Sequence, residues 1–132
     1  MNEKTITAQE LLELEAEMKA FLKEKLGLDC KFEVTHNLLR IKDLCEMTRN
    51  MANDIFKEHG TLNEQTQLVE MPMFEDKERK IKTPAWLEIE KIYEKKVPFE
   101  CIPISTTWLK GVQTDNNYPL MFEYIFKPNG VS

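Results

Sequence analysis

Glycine is scarce in this 132-residue chain: Gly27, Gly60, Gly111 and Gly130 are all it has. No two of them stand at the spacing that cradles a phosphate in a Rossmann or P-loop turn, so those nucleotide sites are excluded. Cysteine is also sparse. Cys30, Cys45 and Cys101 are odd in number and widely separated, which suits a reducing compartment better than a disulfide framework. They form no C-x2-C pair, and His36 and His59 form no H-x3–5-H pair, so no metal site is predicted. Basic charge is in deficit, with 18 Lys and Arg against 23 Asp and Glu and a net charge of -5. That balance argues against direct nucleic-acid binding, which rests on phosphate neutralisation. No apolar run approaches the roughly 20 residues that span a membrane. The first twenty residues lack the apolar stretch of a secretory signal, and a cytoplasmic protein is expected.

What is present suffices for a core. Apolar residues make up 42% of the chain, and the length fits one domain. Thr7 and Glu10 have capping-box spacing, and Leu11, Leu14, Met18, Phe21 and Leu22 follow at helical intervals. A helix is predicted from about Ala8 to Leu26, closed by Gly27. Leu28–Glu33 reads as an extended connector. A second long helix then runs from Val34 or Thr35 to His59 with an apolar stripe through Leu38, Ile41, Cys45, Ala52, Ile55 and Phe56, and closes at Gly60. Two long helices joined by a short link pack as an antiparallel hairpin.

Beyond Gly60 the chain turns polar. Gln67–Met71 is a candidate strand, and the alternating charges of Glu75–Lys80 read as a solvated turn or frayed helix. Thr83-Pro84 is a strong helix start, leading a short helix to Lys95. Val97–Ile104 is β-rich, but Pro98 and Pro103 confine it to an edge or a two-stranded ribbon. Ser105–Gly111 suggests one helical turn and Asp115-Asn116-Asn117 a turn. Pro119–Phe126 is read as helix over strand, with Asn117 as its cap. The expected fold is mainly α with a small β element: a helical hairpin over 7–60, then a mixed part over 61–132 with a third short helix and a ribbon built from near Leu68 and Val97–Ile104.

The order of elements carries a likeness. A lead-in at Leu28 precedes a charged helix ending Ile55-Phe56-Lys57-Glu58-His59-Gly60; a polar Asn63-Glu64 region follows, then Trp86-Leu87-Glu88-Ile89-Glu90 and Lys96-Val97-Pro98-Phe99-Glu100-Cys101-Ile102-Pro103-Ile104-Ser105. Over about residues 28–126 this resembles a family of small uncharacterised proteins carried by tailed phages and prophages, mostly of Gram-positive hosts. The resemblance implies a phage origin and expression in the bacterial host cytoplasm, and brings no activity with it.

Catalytic signatures are missing. His59-Gly60-Thr61 is a single H-x-T where phosphoesterases of that type use two, and a Cys–His pair would need Cys101 or Cys30 beside a histidine. The chain is therefore read as non-enzymatic, without cofactors. The glutamates of the first helix (Glu10, Glu13, Glu15, Glu17, Glu24) are read as a solvated face, the alternative being a mimic of nucleic-acid charge. Arg40, Lys42, Arg49, Trp86 and Trp108 are the candidate binding residues, since cations beside aromatic faces suit a nucleotide or a protein anchor, although both tryptophans also suit the core. Seven methionines, two flanking Pro72, add adaptable apolar area, and a homo-oligomer, dimeric or higher, is expected. The leading expectation is a phage accessory protein that counteracts host defence, by occluding a defence protein or sequestering a nucleotide signal. A structural or assembly accessory is the alternative, and a small enzyme a distant third.

Overall fold

The computed structural model describes residues 2–106 and 117–127. The fold is mainly α with small β elements. Strand β1 (Asn2–Thr7) leads into α1 (Ala8–Phe21) and the long α2 (Leu28–His59); β2 (Thr61–Asn63), β3 (Leu68–Glu70), β4 (Phe74–Asp76) and β5 (Ile81–Lys82) precede α3 (Pro84–Glu94). The chain ends with β6 (Lys96–Cys101), β7 (Ile104–Ser105), α4 (Pro119–Tyr124) and β8 (Phe126–Lys127). The helical turn expected over 105–111 and the turn at 115–117 fall largely outside the described residues.

Two compact units form: residues 1–45 with 96–132, and residues 46–95. In the first, Thr7 caps α1 as predicted, its Oγ1 accepting from the Glu10 amide at 3.1 Å and donating to Glu10 Oε1 at 3.0 Å. The helix closes at Phe21, earlier than Leu26, because Lys23 and Glu24 donate i→i−3 to Ala20 and Phe21 and tighten the last turn. Gly27 does not end α1; its carbonyl accepts from Lys31 and opens α2. The expected extended connector at Leu28–Glu33 is therefore helical. Cys30 and Val34, one turn apart, carry the buried face of α2 back into its first turn. The chain reverses between the two helices, and Cys45 Sγ donates to the Leu11 carbonyl at 3.8 Å.

The ribbon pairs differently from expectation. β6 pairs antiparallel with β1, setting Ile6 against Val97 and Lys4 against Phe99. Asn2–Thr7 holds a single apolar residue, so no alternation marks it as a strand; backbone pairing with β6 makes it one. Pro98, opposite Thr5, has an exposed side chain, and its missing N–H is tolerated because a two-stranded ribbon leaves β6 a free edge. Leu11, Leu14, Met18, Phe21, Val34, Ile41, Phe99, Ile104, Met121 and Ile125 form one buried cluster. The C-terminal aromatics join it edge-on: Phe21 meets Tyr118 at 5.2 Å and Phe126 at 5.6 Å.

α4 forms as read, but its start is held from α1 rather than by Asn117. Tyr118 occupies the cap position without capping the helix through its side chain, and the Glu17 carboxylate accepts from Leu120 N and Met121 N, each at 3.0 Å. β8 then runs parallel to β7.

In residues 46–95, β2 and β3 make a hairpin with Leu62 opposite Val69. Asn63 Oδ1 accepts from Gln65 N and Thr66 N, and Gln67 adopts the left-handed conformation (φ 60°), closing the loop. Gly60 is obligatory here: a Cβ would lie 2.4 Å from the Phe56 carbonyl and 2.5 Å from Val69 Cγ1. The charged Glu75–Lys80 stretch ends β4 and turns, with Asp76 Oδ1 accepting from Glu78 N and Arg79 N. Thr83 caps α3 through Trp86 N at 3.3 Å.

Candidate functional site

The predicted binding residues scatter along the fold. Arg40 and Lys42 lie on α2 two residues apart, hence roughly 200° around its axis, so they point away from a common ligand. Arg40 Nη1 stands 3.9 Å from Glu100 Oε2, beside a shallow hollow of about 350 Å³ that it lines with Leu44, Pro98, Phe99 and Glu100. Arg49 is half-buried in the other unit. Trp86 is half-buried near the start of α3, its Nε1 donating to Glu90 Oε1 at 3.2 Å, and Glu90 also takes Lys82. Trp108 lies outside the described residues.

The cysteines are buried and unbridged. Cys101 Sγ donates to the Tyr124 carbonyl at 3.3 Å. Burial, with Glu33 adding to it, pushes the Cys30 thiol above its ordinary pKa, so its thiolate is scarce at neutral pH. His36 is exposed on α2, and His59 at the helix end lies 3.9 Å from Glu58. Among the described residues no cluster of three His, Cys, Asp or Glu is placed to hold a metal.

Of the five glutamates Glu10, Glu13, Glu15, Glu17 and Glu24, four are engaged within the fold. Glu10 accepts from the Thr7 hydroxyl that caps its own helix, Glu15 is buried 3.7 Å from Lys19, Glu17 caps α4, and Glu24 accepts from Tyr118 Oη at 2.9 Å. Glu13 is exposed. Neither a solvated acidic face nor a mimic of nucleic-acid charge describes that set; three of these carboxylates dock other elements or cap their own helix. Local sequence gives no hint of it, because the partners of Glu17 and Glu24 lie about a hundred positions away. Asn37 gives no local signal for the same reason: fully buried, it donates to the Ile102 carbonyl at 2.9 Å and accepts from the Ile102 amide at 2.7 Å.

Exposed apolar surface is the remaining feature. Leu28, Phe32 and Leu39 stand on one side of α2, roughly opposite Val34, Ile41 and Cys45, which face the core. In residues 46–95, Met47, Met51, Leu62, Leu68, Val69, Met73, Ile81 and Leu87 are exposed, while the buried apolar side chains are only Ala52, Ala85 and Ile89. The same unit carries a groove of about 410 Å³ lined by Met51, Ile55 and Ile92 and rimmed by Asp54, Glu88 and Lys91.

No protein family, no curated protein and no solved structure matches the chain. Among the described residues no helix is long and apolar enough to cross a membrane.

Proposed function

We propose that this protein is a non-enzymatic binding protein that presents residues 46–95 to a protein partner. One observation carries the reading: this unit holds eight of the twelve large apolar side chains left exposed but three of the twenty-one buried apolar residues of any size, two of them alanines, among the described residues. Isolated exposed apolar residues are ordinary, but a concentration on one small unit marks an interaction surface. The β2–β3 hairpin is its most prominent part. Asn63 and Gly60 fix its backbone while Leu62, Leu68 and Val69 stay in solvent, so the surface is built before any partner arrives. The divergence of Arg40 and Lys42 and the pairing of Arg40 with Glu100 favour occlusion of a protein over sequestration of a nucleotide.

In its specific form the proposal is a phage accessory protein that works in the bacterial cytoplasm by occluding a host defence protein. The test is phage plating on a defence-bearing strain that expresses the protein, alongside Leu62→Ser/Leu68→Ser/Val69→Ser. Restored infection with the native chain, lost with the triple variant at equal helical content and expression, supports the proposal. An unchanged phenotype with the variant removes the hairpin from the interface. Incorporation into virions with no effect on defence turns the reading to an assembly role.

A further inference from the structure

The exposed stripe on the N-terminal half of α2 is separate from residues 46–95 and has its own chemistry. Leu28, Phe32 and Leu39 are 77%, 67% and 61% exposed, and what is informative is that they share one stripe rather than standing singly. Leu28, Phe32, Thr35 and Leu39 follow the four–three–four spacing of a coiled-coil seam. With Lys31 and His36 they line a shallow apolar groove of about 440 Å³. Helical geometry puts exposed Asp29 and Asp43 on one flank of this seam, together with His36, and exposed Lys31 and Lys42 on the other.

Those flanks select the occupant. When two copies pack this seam antiparallel, with residue 28 opposite residue 39, each flank meets itself, so the acidic flank finds no lysine across the seam. When they pack parallel, the acidic flank of each copy meets the basic flank of the other. We propose that a second copy of this chain covers the stripe, with the two α2 helices parallel about a two-fold axis along the seam, Phe32 and Leu39 at its centre and Asp29 and Asp43 facing Lys31 and Lys42 of the other copy. The seam spans about three helical turns. That covers less than the roughly 800 Å² per partner of a standard interface, so the dimer is weak and concentration-dependent.

Sedimentation equilibrium of the full chain from micromolar to several hundred micromolar tests it. A monomer–dimer equilibrium is expected, and Phe32→Asp/Leu39→Asp weakens it by roughly 100-fold or more, because two carboxylates enter an apolar seam. Both positions are exposed, so the variant keeps its helical content. A monomer throughout, or a dimer indifferent to this variant, overturns the proposal. Orientation is read by oxidation. Leu28→Cys cross-links to itself in a parallel dimer, where the two copies of residue 28 are adjacent. An antiparallel dimer cross-links only a mixture of Leu28→Cys and Leu39→Cys, which is the contrary result. Finally, Lys31→Glu/Lys42→Glu and Asp29→Lys/Asp43→Lys each lose self-association several-fold and recover it when mixed; loss without recovery on mixing counts against the facing flanks.

Discussion

The two units spend their apolar residues in opposite ways. Residues 1–45 with 96–132 bury Leu11, Leu14, Met18, Phe21, Ile41 and Phe99 in one cluster, and the polar groups around it are tied across the fold by Asn37, Glu17 and Glu24. Residues 46–95 bury Ala52, Ala85 and Ile89 and rely on local devices: the Asn63 loop, the Asp76 turn and the Thr83 cap. A segment of about 50 residues sits where burying enough surface for independent stability is hardest. The contrast teaches that stability and surface presentation are separated here: one unit supplies the packed core, and the other holds its shape with turns while leaving apolar side chains outside.

Substitutions sharpen or break that contrast. Leu14→Ala, in the centre of the larger core, is expected to cost about 2–5 kcal/mol in denaturant unfolding. Ile89→Ala, chemically similar, costs less than half as much because its neighbourhood is already partly open; equal costs would erase the contrast. Asn37→Ala strands both polar groups of Ile102 and is expected to cost about 3 kcal/mol, again in unfolding. Gly60→Ala drives a Cβ into the Phe56 carbonyl and Val69, at about 1–3 kcal/mol, with the loss of amide protection confined to the β2–β3 hairpin. At the small end, Leu68→Ser shifts stability by about 0.5 kcal/mol or less in the same assay. The cysteines report on the first unit alone: Cys30, Cys45 and Cys101 should resist iodoacetamide at neutral pH until denaturant opens the core, whereas fast labelling of Cys30 would contradict its burial and raised pKa.

What was readable in the sequence follows the range of each interaction. Thr7–Glu10 and Thr83-Pro84 are signals closed within four residues, and both caps appear where read. The pairing of β6 with β1 was not readable, because its partner strand lies some ninety positions away and is mostly polar. Leu28–Glu33 reads as an extended connector but is helical; Cys30 turns to the core and Leu28 and Phe32 to solvent, so no single apolar face in the sequence marks this turn or the exposed stripe. For the candidate site the same limit applies. Arg40 and Lys42 were visible as cations, but only the helix shows them diverging, and only the fold shows Arg40 beside Glu100.

Hydrogen exchange of the native protein, resolved by peptide, tests the division between the units most directly. Amides of α1, of α2 up to Cys45 and of β6 are expected to exchange only through global unfolding, while those of residues 61–83 exchange orders of magnitude faster through local opening. Protection of residues 61–83 equal to that of α1 would contradict it, and would mean that the smaller unit is held by a core as strong as the larger one's.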